Sequence, residues 1–200
     1  MTDVERVRMS DKADATIERG GAIGEELRWG GVFDVTCFGP DGVEKWHDTI
    51  VNTACDEGVR LAFDTILAGS AYTVVGPFMG LISSVGYTAI ARTDTLANTG
   101  RGWTEAGSTN APTFTAPRKT MTPWNAASGS PPSKALTSAL AFAITSSGTV
   151  KGAIVIYGAG SNNSILNSGG QLLSAGLFSG GDKIVGNGDT LNVSWSFATT

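Results

Sequence analysis

The sequence has a single histidine, two cysteines and few charged side chains. Charged residues make up 16% of the 200 positions, against about 25% in typical globular domains. Cys37 and Cys55 are too few for a disulfide scaffold in a chain of this length, and we expect both to be reduced and buried. No run reaches the roughly 18 apolar residues of a membrane-spanning helix, and the opening MTDVERVRMSDK has no apolar signal core. We therefore expect a protein that is made in a cytoplasm and has no membrane partner.

The net charge of −4 is unevenly distributed along the chain. Residues 1–64 carry 7 basic and 14 acidic side chains, whereas residues 65–200 carry 7 basic and 4 acidic ones. A mildly acidic chain without a basic stripe argues against nucleic acid as a partner. Contacts with other proteins through neutral surfaces are the expectation.

The only histidine, His47, leaves few ways to build a catalytic site. No Gly-x-Ser-x-Gly motif is present, so a Ser–His–Asp triad is not indicated. A pair of His47 with Cys55 stays open as an alternative, although no activating motif surrounds Cys55. Asp94 and Glu105 could converge as the two carboxylates of a hydrolase, but spacing alone supports this little. We predict a protein that is not an enzyme and has no catalytic residues.

Metal and cofactor motifs are equally scarce. Asp182 and Asp189 flank Gly- and Asn-rich turns that could hold calcium, but they lack EF-hand spacing, and turn capping explains them better. One histidine and two cysteines cannot complete a zinc site without carboxylates. Gly158-Ala159-Gly160 lacks the later glycine of a phosphate-binding fingerprint. We predict no metal and no cofactor.

Glycine is abundant, with 27 residues, and short apolar runs alternate with turn residues. Val32–Phe38 and Val43–Ile50, joined by Gly39-Pro40-Asp41-Gly42, predict a β-hairpin. Further strands are expected over residues 74–84, 85–91, 139–145, 150–157 and 191–197, the third and fourth of these as a second hairpin. Several short strands joined by Gly/Ser/Asn turns predict a mainly β domain, similar to a β-sandwich or jelly roll.

One helix is predicted over about residues 53–68. Asn52 or Thr53 is expected to cap it, and Gly69 to end it. The spacing of its apolar residues predicts one buried face. That face consists of Val59, Ala62, Phe63, Ile66 and Leu67.

Two segments differ from the rest of the chain. Residues 1–31 hold 12 of the 32 charged side chains and form a charged N-terminal arm, ordered by a partner or not at all. Residues 32–200 form the β-rich domain. Within it, the stretch 100–134 holds five of the seven prolines and is expected to be a long loop extended on a surface of this chain or of a neighbour.

Tryptophans are the remaining candidates for a binding role. They are Trp29, Trp46, Trp103, Trp124 and Trp195. Trp195 has the periodicity of a core residue, whereas Trp103 and Trp124 lie in the long loop. We expect the loop pair to form an interface or packing anchors, with sugar stacking as the alternative.

An ordered series of short motifs runs through residues 32–200. They are Asp94-Thr95, Gly102-Trp103-Thr104-Glu105, Arg118, Gly152-Ala153, Leu172-Leu173-Ser174, Phe178 and Gly188-Asp189-Thr190-Leu191-Asn192-Val193. This layout resembles a family of small structural proteins of tailed bacteriophages, often found among head genes.

The resemblance implies a non-enzymatic virion protein on the capsid surface, most simply a capsid decoration (cement) protein that stabilises the shell exterior. Its partners would be the major capsid protein lattice and further copies of itself, and it would be made in the host cytoplasm. The arm and the long loop would carry these contacts. A tail, head–tail junction or fibre protein with a carbohydrate- or receptor-binding role is the alternative. In either case we expect a buried Trp103, with Glu105 and Arg118, to form a charge-assisted clamp that pins the long loop to the domain.

Overall fold

The computed structural model describes residues 29–67, 75–97, 100–115, 117–130 and 132–199. Over this part of the chain it has one helix, α1 (Asp56–Leu67), and eleven strands. The strands are β1 (Trp29–Phe38), β2 (Glu44–Ala54), β3 (Phe78–Ser83), β4 (Thr104–Glu105), β5 (Lys119–Thr120), β6 (Ser133–Ala135), β7 (Leu140–Ala143), β8 (Gly148–Tyr157), β9 (Gln171–Phe178), β10 (Lys183–Val185) and β11 (Thr190–Thr199). The prediction of a mainly β protein with one helix is confirmed.

The eleven described strands form one hydrogen-bonded sheet in which all pairs are antiparallel. Its order is β4-β3-β8-β9-β2-β1-β11-β6, with β5 paired to β3, β10 to β8 and β7 to β11. The hairpin predicted at the start of the domain is present as β1 and β2. β1 also pairs with β11 over its whole length, from Trp29 opposite Thr199 to Phe38 opposite Thr190.

One face of the sheet encloses the main core. Successive side chains of a strand point to opposite faces, and alternate residues of the long strands meet here. They are Phe33, Val35, Cys37, Ile50, Met79, Leu81, Ala153, Val155, Leu191, Val193 and Trp195. Because strands from both ends of the sheet share this core, the sheet curves around it. A single curved sheet thus covers the core from more than one side.

The stretch predicted to be a long loop joins the two ends of the sheet. β4 and β5 within it pair with β3, and residues 113–115 form backbone hydrogen bonds with residues 143–145 beside β7. Ala106, Phe114 and Met121 enter the main core. The surface on which this stretch lies is therefore that of its own domain.

The opposite face of the sheet, which we call the outer face, is covered over β3, β8 and β9. A second apolar cluster lies there, made of Cys55, Ile82, Leu96, Trp103, Ile154, Ile156, Leu172 and Ala175. Tyr87 and Ile90 pack against this outer cluster, and α1 lies beside it against β9.

The helix differs from its prediction in its start and its buried face. Asn52 and Thr53 belong to β2, and α1 begins at Asp56. Its buried residues are Gly58, Leu61 and Ala62, while Phe63, Ile66 and Leu67 are 47%, 66% and 76% exposed. The reason is Gly58, where a Cβ atom would overlap the backbone of Leu173 on β9. The smallest residue sets the closest approach to the sheet. Of the predicted face, Ala62 is therefore buried and Val59 half-buried, while its other three residues face away from the sheet.

Two strand predictions are also wrong. Residues 85–91 form no strand, because part of this run covers the outer cluster instead of pairing. The predicted hairpin of residues 139–145 and 150–157 does not form, since β7 pairs with β11 and β8 pairs with β3, β9 and β10. Of the predicted arm, residues 1–28 lie outside the described residues, as does Gly69, and residues 29–31 begin β1.

Candidate functional site

A buried ion pair joins β4 to the residue directly before β5, within the stretch 100–134. Arg118 donates from Nε to Glu105 Oε1 and from Nη2 to Glu105 Oε2, each at 2.7 Å. Neither side chain is exposed to solvent. Two parallel charge-assisted bonds are the strongest form of this contact. The Glu105–Arg118 part of the clamp expected from the sequence is present, whereas the buried Trp103 bonds to Asp94 instead.

The clamp also fixes the loop that leads into β9. Arg118 donates from Nη2 to the carbonyl oxygen of Asn167 at 2.9 Å and from Nη1 to that of Asn162 at 3.3 Å. The backbone N–H of Leu166 donates to Glu105 Oε2 at 2.9 Å. These partners use most of the remaining bonding capacity of both charges, which offsets much of the cost of burying them. The sequence could not show them, because they act through backbone atoms.

The second carboxylate considered for hydrolysis, Asp94, is also held by internal bonds. Its Oδ2 accepts from Trp103 Nε1 and from the backbone N–H of Ala91, both at 2.9 Å. Trp103 is 1% exposed, and the guanidinium of Arg101 lies 4.3 Å from the centre of its ring. Asp94 and Glu105 therefore hold different parts of the long stretch in place.

Asp189 caps the turn that leads into β11. It is buried and accepts from Lys45 Nζ at 2.6 Å and from Gly186 N–H at 2.7 Å. Burial alone would raise the pKa of Asp189, but the bonds from Gly186 and Lys45 hold it below the ordinary value. Asp182, the other calcium candidate, pairs with Lys151 at 2.9 Å. Within the described ranges, no group of three or more His, Cys, Asp or Glu side chains could hold a metal ion.

His47 and the cysteines lie in different environments. His47 is exposed on the outer face of β2, with Nε2 2.8 Å from Asp34 Oδ2, and the bond with Asp34 raises the pKa of the imidazole. Cys55 lies eight positions further along the chain, beyond the end of β2, about 26 Å away at the rise of a strand. The structure therefore does not bring His47 and Cys55 together.

Both cysteines are free and buried, as predicted. Burial and the charge of Asp189 raise the pKa of Cys37 to about 11. Burial and the charge of Asp94 raise the pKa of Cys55 to about 12. A thiol with such a pKa is almost entirely protonated at neutral pH and is a poor nucleophile or metal ligand.

The two loop tryptophans take different positions. Trp103 is a packing anchor in the outer cluster. Trp124 is half-buried and edge-on to Trp195, with 5.6 Å between ring centres, and Lys134 Nζ lies 5.9 Å from its ring centre. Trp195 itself is 5% exposed. Of these three, only Trp124 keeps part of its surface for a partner.

Trp46 and Trp29 complete the set of tryptophan candidates. Trp46 is half-buried on β2 and edge-on to Phe178, with ring centres 5.6 Å apart. Trp29 is the first residue of β1, and its side chain lies outside the described part of the structure.

The outer face over β1, β2 and β11 carries mostly short polar side chains. They include Thr36, Thr49, Asn192, Ser194 and Ser196, none of which is fully buried. An exception is the aliphatic row, formed by Val32, Val51 and Leu177 in direct register across β1, β2 and β9. These three side chains are 40%, 69% and 38% exposed.

A groove of about 400 Å³ lies beside the aliphatic row. We call it the outer groove. It is lined by Val51, Thr53, Tyr87, Thr88, Ala89, Ile90, Ala175, Gly176 and Leu177. Sequence patterns could not indicate this groove, because it forms between strands and a connection that are distant in the chain.

Comparison with known protein families, curated proteins and solved structures gives no match. The one helix of the described chain, with 12 residues, is not long and apolar enough to cross a membrane. The function is therefore inferred from the residues themselves.

Proposed function

We propose that this protein is a non-enzymatic structural component of a phage particle, a capsid decoration protein that binds the shell exterior. The observation that carries the proposal is the use of the charged residues in the motifs that resemble the phage family. Glu105 binds Arg118, Asp94 binds Trp103, and Asp189 closes a turn. The charged residues of these motifs thus stabilise the fold through internal contacts. Such a use is expected of a structural protein, whose role is to present a surface to its partners.

The described surface supports the same role. Apart from the exposed pair of Asp34 and His47, the outer face over β1, β2 and β11 offers mainly Ser, Thr and Asn side chains, so contact away from that pair desolvates little charge. Weak contacts of this kind become stable when symmetry repeats them over many copies. The partners would be the major capsid protein lattice and neighbouring copies of this chain.

Binding to empty shells tests the proposal directly. The purified protein is mixed with shells of the major capsid protein encoded in the same genome, and the bound copies are counted after sedimentation. We expect saturable binding with on the order of hundreds of copies, as repeated symmetric sites require. Shells that bind no copies, or only a few at one vertex, would contradict decoration and favour a junction or tail position.

Deleting residues 1–28 tests the part that the arm plays in this binding. The deletion leaves every described strand in the chain. We expect a folded protein, checked by circular dichroism, that no longer binds shells. Normal decoration by the shortened chain would assign the contact to the described domain instead.

A tail or fibre protein that binds carbohydrate is the second candidate, and the half-buried side chain of Trp124 is the observation that favours it. Trp103 and Trp195 are 1% and 5% exposed and offer no stacking surface. Trp124→Ala should then abolish binding on a glycan array, whereas a decoration protein gives no signal with either chain.

A further inference from the structure

The aliphatic row is unusual for its position on the sheet. An antiparallel sheet with one wet face normally carries polar side chains on that face. Here Val32, Val51 and Leu177 stand side by side across three strands and are 40%, 69% and 38% exposed. Contiguous apolar surface of this kind marks a place where another segment packs.

The outer groove continues this apolar surface and has a defined shape. Residues of β2 and β9, among them Thr53 and Ala175, form its floor, and residues 87–90 form one wall. Tyr87 and Ile90 of this wall are anchored on the outer cluster. β1 borders the groove on the other side, where Val32 lies opposite Val51.

The chain enters β1 at this border. Residues 29–31 pair with β11, and the pairing of β1 with β2 begins at Val32. Where the two strands separate, the N–H of Gly31 donates to Asn52 Oδ1 at 2.5 Å. The described chain therefore begins, at Trp29, on the strand next to β2, whose Val51 and Thr53 line the groove.

We propose that the outer groove is the docking site of the segment directly before β1, with Ile23 and Leu27 as the side chains that enter it. Positions four apart lie on one face of a helix and also on one face of an extended strand. Both side chains can thus reach the same groove in either conformation. Leu27 and Ile23 precede Trp29 by two and six positions, a reach of up to about 20 Å.

The same chain, and not a second copy, is the occupant. A tether of a few residues holds the segment at an effective concentration in the millimolar range or above, which a separate copy reaches only in an assembly. The inference goes beyond the proposed function and does not rest on it, because it concerns the isolated chain.

Disulfide trapping tests the docking. A chain with Leu27→Cys and Thr88→Cys places one thiol in the segment and one on the exposed rim of the groove. The matched control combines Leu27→Cys with Ser196→Cys, which lies opposite Val32 on β11, on the side of β1 away from the groove. Cys37 and Cys55 are buried and stay out of the reaction. The rate of disulfide formation is followed by mass spectrometry of the monomer under mild oxidation.

We expect an intramolecular disulfide with Thr88→Cys that forms at least about tenfold faster than the control, since docking raises the local concentration. Equal rates for the two chains would overturn the proposal. Disulfides formed only between chains would overturn it as well and make a second copy the occupant.

A substitution in the groove gives an independent test of docking there. Val51→Ser, added to the trapping chain, should slow disulfide formation several-fold, because it removes apolar contact area. The control is Val43→Ser in the β1–β2 turn, a side chain of similar exposure, 62% against 69%. Equal effects of the two substitutions would contradict docking in the groove.

Discussion

The guanidinium of Arg118 binds both carboxylate oxygens of Glu105 at 2.7 Å, and neither side chain is exposed to solvent. Both residues lie within the stretch that joins the ends of the sheet, Glu105 on β4 and Arg118 directly before β5. Their pairing fixes that stretch and, through the carbonyl oxygens of Asn162 and Asn167, the loop before β9. One contact thus positions segments that are far apart in the sequence.

Breaking this pair should destabilise the protein strongly. Glu105→Gln leaves Arg118 as a buried charge without a counter-charge, a change that costs about 3–5 kcal/mol of unfolding free energy. Urea denaturation measures it. Arg92→Ala is the control, because Arg92 is 68% exposed in its pair with Asp56 and exposed pairs contribute about 0–1 kcal/mol. A loss below 1 kcal/mol for Glu105→Gln would show that the clamp does not stabilise the fold.

Gly152 should tolerate no side chain. A Cβ atom at this position of β8 would overlap the carbonyl oxygen of Gly176 on β9, and backbone atoms in the centre of a sheet cannot move aside. We expect Gly152→Ala to cost more than the roughly 1–3 kcal/mol of ordinary overpacking and to lower the yield of folded protein. Gly30→Ala is the matched control, because a Cβ there meets no atom within 4 Å. Thermal unfolding compares the two, and equal midpoints would contradict the close approach of β8 and β9.

The pair of His47 and Asp34 should make stability depend on pH. The bond and the charge of Asp34 raise the pKa of His47 in the folded chain above its ordinary 6.5. Protonation therefore favours the folded state, and this contribution is complete below pH 6.5 and is lost as the pH rises through the raised pKa. Both side chains are exposed, so we expect a small effect. Urea midpoints of the parent and of Asp34→Asn should differ more at a pH of about 5.5 than at about 8.5. A constant difference would contradict the assignment.

The two thiols should be unreactive in the folded protein. Their pKa values, about 11 for Cys37 and about 12 for Cys55, and their complete burial leave almost no accessible thiolate at pH 8. A thiol reagent should label neither cysteine in the native protein and both in urea. Rapid labelling of Cys55 without denaturant would show that the helix start opens.

The sequence predicted strands well where the pattern is local. β1, β2, β8 and β11 alternate or run as β-branched and apolar residues over many positions, and each was placed close to its observed range. Their partners were harder to predict, because pairing joins residues far apart in the chain. β7 forms from the apolar run directly before β8 in the chain and yet pairs with β11.

The long stretch shows the other limit of sequence patterns. β4 and β5 have two residues each, which is too few for any periodicity. The sequence pattern of residues 100–134 therefore predicted a loop. The pair of Glu105 and Arg118 was expected as a charge-assisted contact that pins the stretch, but Trp103, expected beside them, bonds to Asp94. Its backbone partners and the outer groove were missed, since both depend on how separate segments come together.

The pairing of β1 with β11 also has a practical consequence for engineering. Trp29 and Thr199 face each other at the same end of this ladder, so a protein fused directly after Thr199 would start beside Trp29. A short linker could join Thr199 to Trp29. New termini could then be opened in the Gly39–Gly42 turn without removing a strand. Such a permuted chain would display cargo from the opposite end of the sheet.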